Sequence, residues 1–510
     1  MVKKRGFQNK YILAVVVVLF LVGSSFFVSG SFLKFDGFSK ETLSSFSPLI
    51  DDDWSTDWFD GSFEGVFGEN TQYLDGEIVG FLNLGRSSSV GCFQGEWNRF
   101  DTTSSGTVQG RFRNNVIVGI VKTDESSFPF IGSLWFNDTN FQAVIISVRL
   151  SRIFIEGAYE SSFLPPLTGP YGVGVKSFHL VDESRFELFT PDDPDDLREM
   201  MMQLWYPVDK DITEPRAEYM DEPTFAWLMD RSPIPLVTIP GDAYRFVRPH
   251  TKFEVAIAED DLMFPVIIFS PGYNGVYQIY TSLIEDLVSN GFVVASINHP
   301  YVSGITVFPD GRKIYSSSLP SGDIGIRSVV EDAKFVLDTL EDLNSSDPMF
   351  LGRFDLSKVG MYGHSFGGAA TSICCYEDDR FVCGLTLDGV FYTDYIAEGL
   401  DKPFLLMIAE LRFNDANVQE KWGLLSDDAF KVEILGATHS GFTDVGLLLN
   451  HLVPLIPPRF LGFGTIAPKV HVSIMRMFEL VFFEVYLKGR AVEDLISLGS
   501  VFEEVVFEWK

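Results

Sequence analysis

The sequence is poor in cysteine and in positive charge. Its 510 residues include four cysteines, too few for a disulfide framework and spaced in no pattern that binds zinc. Lysine and arginine number 39 against 70 aspartates and glutamates, which gives a formal net charge of -31. This charge repels nucleic acid, so we expect no nucleic-acid partner.

Metal and nucleotide motifs are also missing. The acidic runs at residues 51–53 and 191–196 lack the glycine and the terminal glutamate of a calcium loop, and are predicted to be solvated linker and turn. The glycines of residues 169–174 have no strand-to-helix context, as a dinucleotide loop would require. We therefore expect no metal and no cofactor.

One glycine motif carries chemistry. Gly363-His364-Ser365-Phe366-Gly367 has the pattern G-x-S-x-G. An apolar run at residues 359–362 precedes it, and small residues able to start a helix follow at 368–371. Strand, tight turn and helix together are typical of a nucleophile elbow, in which the turn presents a serine hydroxyl at the carboxyl end of a strand. Ser365 is the predicted nucleophile.

A serine hydroxyl is a poor nucleophile at neutral pH and needs a histidine base. Three histidines follow Ser365 in the chain: His439, His451 and His471. His439 comes directly after a predicted strand at residues 430–435, where open parallel sheets place their sites, and is the predicted base. His451 and His471 are predicted to be structural or surface residues.

The third member of such a site is a carboxylate that orients the histidine, in the chain order serine, acid, histidine. Asp388 ends a predicted strand at residues 384–387 and is the preferred acid. Glu410 is the runner-up, because it follows the next predicted strand, residues 403–409. The nucleophile, acid and base all stand at carboxyl ends of strands, so we expect them to converge.

Backbone N–H groups are expected to bind the oxyanion of the tetrahedral intermediate. One comes from the residue after the nucleophile, which is Phe366. The other comes from an earlier strand-to-helix loop, and residues 265–270 read as a strand that opens into the glycine-containing loop 271–275. Tyr273 is the predicted donor there, and the two side chains are predicted to line the acyl pocket.

Several of these blocks resemble one family in their order along the chain. The blocks are residues 269–272 (FSPG), 291–299 (GFVVASINH), 363–369 (GHSFGGA) and 380–388 (RFVCGLTLD), with weaker blocks upstream at 168–171, 198–200 and 204–207. Together they resemble the platelet-activating-factor acetylhydrolase family. The similarity runs from about Leu164 to Arg490.

The resemblance implies an α/β-hydrolase fold and calcium-independent hydrolysis of carboxylic esters, typically short or oxidised acyl chains on phospholipids. It also implies a catalytic triad of Ser365, Asp388 and His439. Pro271 departs from the family, which usually has histidine before the oxyanion glycine. That change concerns the shape of the pocket more than catalysis, since only the loop backbone is needed there.

Two apolar segments bear on membranes. Residues 1–30 combine four early cations with an uncharged apolar run from Tyr11 to Leu21, which predicts either a cleaved signal peptide or a membrane anchor. The protein body then faces outward, membrane-anchored or secreted. Residues 445–466 are apolar but broken by three prolines, and are predicted to be either core or an exposed flap that touches lipid.

The segment before the hydrolase repeats every fifteen residues. Its Gly-x-x-x-Gly units lie at residues 61–65, 76–80, 91–95 and 106–110, and each is followed two positions later by an apolar residue: Phe67, Leu82, Trp97 and Phe112. Period-two alternation predicts strands, arranged as an antiparallel meander, a small barrel or a short β-solenoid. The central glycines predict close approach of backbones or rings.

The predicted fold class is α/β. An α/β-hydrolase domain with a mostly parallel sheet flanked by helices (residues 163–510) follows an all-β glycine-repeat domain (56–162), a linker (31–55) and the hydrophobic leader or anchor (1–30). The chain is predicted to be an exported serine carboxylic-ester hydrolase that acts on a small-molecule or lipid ester through an acyl-enzyme. The alternatives are a cutinase-like polyester or triglyceride hydrolase, and a catalytically silent surface binding protein.

Overall fold

A computed structural model describes residues 61–510, apart from 71–72, 85–89, 100–104, 114–115, 124–125, 137–139, 148–151, 162–163, 211, 213, 232–243, 245–246, 260–262, 320–322, 390, 411–415, 427 and 453–457. The predicted leader and linker, residues 1–55, lie outside this range. Among the described residues, no helix combines the length and apolar character needed to cross a bilayer.

Eight antiparallel strands form the first part of the described chain. They are β1 (Gly61–Asn70), β2 (Tyr73–Leu84), β3 (Val90–Arg99), β4 (Ser105–Arg113), β5 (Val116–Lys122), β6 (Ser127–Phe136), β7 (Asn140–Ser147) and β8 (Arg152–Ser161). Each strand pairs with the next in sequence, and β8 pairs back with β1, so the sheet closes on itself as a barrel.

The repeated glycines make room for aromatic rings on the neighbouring strand. Phe93 of β3 lies opposite Gly110 of β4, and a Cβ added at Gly110 would lie 2.6 Å from its ring. Gly119 of β5 stands in the same relation to Phe130 of β6. Because a side chain at either glycine would displace a ring, the aromatic residues lie across strands that carry no side chain at that point.

The second part of the chain is built on a ten-stranded sheet in the order β11-β9-β10-β13-β12-β16-β17-β18-β19-β20. Its strands are β9 (Gly172–Phe186), β10 (Leu197–Val208), β11 (Lys252–Phe253), β12 (Phe264–Ser270), β13 (Val293–Asn298), β16 (Phe354–His364), β17 (Phe381–Leu387), β18 (Phe404–Ala409), β19 (Ala429–Ile434) and β20 (Val505–Trp509). From β13 to β19 every neighbouring pair is parallel. A separate hairpin pairs β14 (Ile305–Val307) with β15 (Lys313–Tyr315).

Helices cover both faces of this sheet. They are α1 (Glu222–Asp230), α2 (Thr281–Ser289), α3 (Ile324–Ser346), α4 (Phe366–Glu377), α5 (Ala416–Leu424), α6 (Val445–Leu452), α7 (Pro468–Lys488) and α8 (Val492–Leu498). Alternate residues of the fully buried strand β12 belong to two apolar clusters. Ile267 and Phe269 pack with residues of α2 and α7, and Val266 and Ile268 with residues of α3 and α4.

This arrangement confirms the predicted mixed α/β fold with a large, mostly parallel sheet flanked by helices. The strands predicted around the site lie where the sequence indicated them, within a few residues at each end. Apolar residues at helical spacing on α3 are buried, including Val329, Val336 and Leu340. Helix α7 ends at Gly489, whose left-handed φ of 76° closes the helix in the way that only glycine adopts easily.

Candidate active site

The turn between β16 and α4 holds Ser365 in a strained backbone. Its φ of 54° and ψ of -111° are unfavourable for any residue with a side chain, and such strain persists where the surroundings enforce it. The flanking glycines explain how the turn fits. A Cβ on Gly363 would collide with the backbone of Gly367, and a Cβ on Gly367 would collide with the carbonyl of Ser270. The hydroxyl therefore stands at the end of β16.

His439 and Asp388 meet at the same edge of the sheet. Asp388 follows β17, and His439 opens a short 3-10 turn after β19. The Nδ1 atom of His439 lies 2.6 Å from Oδ2 of Asp388. The aspartate is 1% exposed, whereas the histidine side chain is 50% exposed. A buried carboxylate at Nδ1 fixes the imidazole with its proton on Nδ1 and its lone pair on Nε2, the tautomer of a general base.

Asp388 is itself held in place. Its Oδ1 atom accepts a hydrogen bond of 3.0 Å from the Ala409 N–H, and its own N–H donates to the carbonyl of Met407. Both partners belong to β18, so the neighbouring strand sets the orientation of the carboxylate. The backbone of Asp388 has a φ of 46°, a second strained position beside Ser365.

The runner-up acid has a different partner. Oε2 of Glu410 accepts the N–H of Gly436 at 3.0 Å, and the N–H of Glu410 donates to the carbonyl of Ala437. Glu410 thus fixes the loop that carries His439 instead of its imidazole. Of the other histidines, His451 lies in α6, and His471 is buried in α7 against Phe442, with ring centroids 4.9 Å apart. Burial lowers the pKa of His471 to about 4.

The loop after β12 approaches the nucleophile closely. A Cβ added at Gly272 would lie 3.1 Å from Cβ of Ser365, so a side chain there would require the nucleophile turn to shift. Tyr273 follows, 42% exposed, with its hydroxyl donating to the carbonyl of Ser317 at 2.7 Å. Phe366 opens α4, so its N–H belongs to the first turn, for which a helix offers no acceptor. Both predicted oxyanion donors therefore lie on segments adjoining Ser365.

Three aromatic rings stand side by side on these segments. The rings of Tyr273 and Phe366 have centroids 6.4 Å apart, and those of Phe366 and Tyr392 are 6.3 Å apart, both in edge-to-face contact. Such pairs are rigid compared with aliphatic side chains. They form an aromatic wall that includes Phe366, the residue that follows Ser365 in the chain.

Two residues beside this site carry no functional signal in the sequence. His364, the variable position of the motif, is buried between Tyr280 and the backbone of His439, at 2.9 Å and 3.0 Å. Burial, reinforced by the nearby His439, lowers the pKa of His364 to about 3. The motif itself gave its position but no reason to assign it a partner. Tyr280 carried no signal, because it lies on an unremarkable apolar stretch.

A second serine–histidine–aspartate array lies deeper in the fold. Oγ of Ser270 is 2.9 Å from Nε2 of His299, and Nδ1 of His299 is 2.8 Å from Oδ2 of Asp332. Arg198 donates its Nε–H to Asp332 at 3.0 Å and also binds Glu187. Burial alone would raise the pKa of Asp332, but Arg198 and His299 hold it well below its usual value. Ser270 and His299 are 0% exposed, so no substrate reaches them.

The segment after His439 divides into buried and exposed parts. Residues 447–449 of α6 are buried leucines, as expected of core. Phe460, in a 3-10 turn, is 70% exposed, as expected of a flap. The segment after this turn is fixed to the loop that carries His439, because Thr438 donates its hydroxyl to the carbonyl of Gly462 at 2.6 Å.

In the described part of the chain, no group of three or more histidine, cysteine, aspartate or glutamate side chains could hold a metal ion.

The fold and this constellation define a mixed α/β protein of the esterase class. Residues 156–337 and 331–493 match the model of the family described as platelet-activating factor acetylhydrolase, isoform II, and the chain belongs to that family. The resemblance seen in the motif blocks is thereby confirmed.

Individual relatives agree. The chain is 26% identical to platelet-activating factor acetylhydrolase of Canis lupus familiaris, over 73% of this chain and 85% of that protein. It is 27% identical to a probable 1-alkyl-2-acetylglycerophosphocholine esterase of Arthroderma benhamiae, over 48% of this chain but 66% of that protein. A ferulic acid esterase from Streptomyces cinnamoneus matches in structure, with a TM-score of 0.58 and 30% identity, over 67% of this chain and 98% of that one. The chain is accordingly a carboxylic-ester hydrolase by class.

Proposed function

We propose that the chain has the α/β-hydrolase fold and is a serine carboxylic-ester hydrolase that works through an acyl-enzyme, with Ser365, His439 and Asp388 as its triad. The observation that carries the proposal is the 2.6 Å contact between His439 and the buried Asp388, on the sheet edge where the strained turn presents Ser365. Glu410 is assigned to the loop instead, because its carboxylate is engaged by the backbone of Gly436.

In the first half-reaction, Oγ of Ser365 attacks the ester carbonyl carbon while Nε2 of His439 takes its proton. The N–H groups of Tyr273 and Phe366 stabilise the negative charge on the carbonyl oxygen. The tetrahedral intermediate then collapses. The C–O bond to the alcohol breaks, and His439 returns the proton to the departing alcohol oxygen.

In the second half-reaction, a water molecule takes the place of the alcohol. His439 removes a proton from it, the hydroxide attacks the acyl carbon, and the second tetrahedral intermediate releases the carboxylic acid. Ser365 recovers its proton from His439. Asp388 stays ionised throughout and stabilises the imidazolium that forms twice in each cycle.

For the substrate we propose an ester with a short or flat acyl group. The aromatic wall of Tyr273, Phe366 and Tyr392 beside the nucleophile supports this, since rigid rings leave less room than flexible aliphatic chains. The similarity to a platelet-activating factor acetylhydrolase and to a probable 1-alkyl-2-acetylglycerophosphocholine esterase favours short acyl groups on glycerophospholipid. The similarity to a ferulic acid esterase favours an aromatic acyl group as the second candidate.

Lipid contact is proposed for the segment that carries Phe460. Because the net charge of -31 opposes binding to anionic headgroups, the contact has to come from apolar side chains or from the amino-terminal segment. We also propose that residues 1–30 direct export, with the body of the protein facing outward. Fractionation of expressing cells, with and without those residues, tests the export.

An active-site probe and an ester panel test the enzymatic proposal. A fluorescent phosphonate should label wild-type protein at Ser365, and the Ser365→Ala variant should remain unlabelled. The panel compares acetyl, hexanoyl, palmitoyl and feruloyl esters on a common alcohol, then a short-acyl phospholipid, a long-chain triglyceride and a polyester film. Hydrolysis restricted to long-chain triglyceride or polymer would replace the short-acyl proposal with the cutinase-like alternative. Folded protein that is neither labelled nor active would refute the mechanism.

A further inference from the structure

Two hydrogen bonds that the triad does not use connect Tyr280, His364 and the loop that carries His439. The hydroxyl of Tyr280 lies 2.9 Å from Nδ1 of His364, and Nε2 of His364 lies 3.0 Å from the carbonyl oxygen of His439. The imidazole of His364 also lies against the loop after β12, because a Cβ added at Gly272 would lie 3.0 Å from its Nδ1 atom. His364 is 84 residues from Tyr280 and 75 from His439, so distant parts of the sequence meet at this imidazole.

The direction of each bond is fixed by chemistry. A carbonyl oxygen only accepts, so Nε2 of His364 carries the proton that it donates to His439. Burial keeps the imidazole of His364 neutral, so its Nδ1 has a lone pair and accepts from the Tyr280 hydroxyl. The Tyr280 hydroxyl therefore donates to His364, and both nitrogens of the buried imidazole are satisfied in only this one arrangement.

The hydrogen bonds of Tyr280 and His364 are also sealed from solvent. Tyr280 and His364 are both buried, and the ring of Tyr280 packs on Phe269 of β12 with centroids 4.7 Å apart. Water cannot replace a broken link without room to enter, so the loss of one link leaves a buried polar group unpaired. The ring of His364 lies 4.6 Å from that of His439 and, being uncharged, does not repel the imidazolium formed during catalysis.

We infer that Tyr280 and His364 are positioning residues, which lock the oxyanion loop at Gly272 to the backbone of His439 so that oxyanion donor and general base keep one fixed separation. This inference rests on the proposed function. It assigns the variable position of the G-x-S-x-G motif a role in catalysis, one link removed from the reacting atoms. Neither residue needs to touch the substrate.

Two variants break the two hydrogen bonds of His364 separately. Tyr280→Phe removes the hydroxyl that holds Nδ1 of His364. His364→Asn keeps an acceptor near the position of Nδ1 but is too short to reach the carbonyl of His439. With a short-acyl ester, each is expected to lower kcat at least about tenfold with KM changed less than about twofold, because the loops, not the binding surface, are released. The double variant is expected to be no slower than the slower single variant, since both substitutions break the same hydrogen-bonded connection.

Tyr362→Phe is the matched control. Tyr362 lies on the same strand as His364 and is fully buried, and its hydroxyl has no hydrogen-bond partner among the described residues. Its kcat should equal that of the wild type. Thermal melting of all variants identifies plain destabilisation. Losses in kcat that multiply in the double variant, or single variants as fast as the control, would overturn the inference. A wild type that hydrolyses no ester and is not labelled at Ser365 would instead refute the proposed function, and the inference with it.

Discussion

Replacing Asp388 with asparagine is expected to reverse the tautomer of His439. The Ala409 N–H donates to Oδ1 of Asp388 and only a carbonyl oxygen of asparagine can accept it, so the new amide nitrogen must face His439. An N–H at that position donates to Nδ1 of the imidazole, which then carries its proton on Nε2. A histidine protonated on Nε2 cannot accept the proton of Ser365.

The expected loss in kcat is about 10³- to 10⁴-fold, or roughly 4 to 5.5 kcal/mol at 1.36 kcal/mol per factor of ten. The geometry supports the upper end, since Asp388 is 1% exposed and water does not reach it to restore the lost interaction. The variant is to be assayed on a soluble short-acyl ester at saturating concentration. KM should change little, because Asp388 contacts the base and not the substrate.

The matched control is Glu410→Gln. Its Oε1 or Nε2 remains near the Gly436 N–H, and nothing in its position affects the imidazole, so kcat should stay within about threefold of the wild type. The opposite pattern, with Asp388→Asn retaining a tenth or more of the activity and Glu410→Gln abolishing it, would refute the assignment of the acid. Equal melting temperatures for the two variants would exclude misfolding as the cause.

Three further outcomes follow from buried or exposed groups. Asp332→Asn removes one of the two carboxylates that pair with the buried Arg198, the other being Glu187, and should lower the free energy of unfolding by about 3 kcal/mol in urea titrations. His471 has a pKa of about 4 in the folded protein against 6.5 unfolded, so the unfolded state binds more protons as pH falls. The free energy of unfolding of His471→Leu should therefore rise relative to the wild type, by about 2 kcal/mol between pH 7 and pH 5. Phe460→Ser should reduce hydrolysis of esters in vesicles several-fold and leave that of a soluble ester unchanged, as measured on both substrates.

The parallel strands around the site were predictable because each contains a short run, apolar or alternating, that ends beside glycine or a polar residue. The run before Gly363 and the run before Asp388 belong to β16 and β17, and both strands lie inside the sheet. The order of the strands across the sheet was not predictable. It depends on contacts between segments up to a hundred residues apart, and no local periodicity records them.

The proposed triad was easier to predict from the sequence than the residues proposed to support it. Ser365, Asp388 and His439 stand at strand ends next to glycine or in a known motif, so their types and positions indicate a role. Tyr280 lies in a short 3-10 turn among apolar residues, and nothing distinguishes it from core tyrosines along the chain. A supporting hydrogen bond is a property of two segments together, which a single sequence does not display.

The two serine–histidine–aspartate arrays show that the order of hydrogen bonds alone does not identify a nucleophile. Ser270 is joined to His299 and Asp332 by the same order of bonds that a catalytic triad uses, yet its environment is closed. Ser270 ends β12 and is 0% exposed, whereas Ser365 has a φ of 54° in the turn after β16 and is partly exposed. The difference in exposure favours Ser365 as the hydroxyl that a reagent in solution can reach. For this reason a phosphonate that finds Ser365 should leave Ser270 unmodified, even in a Ser365→Ala variant in which no other serine competes.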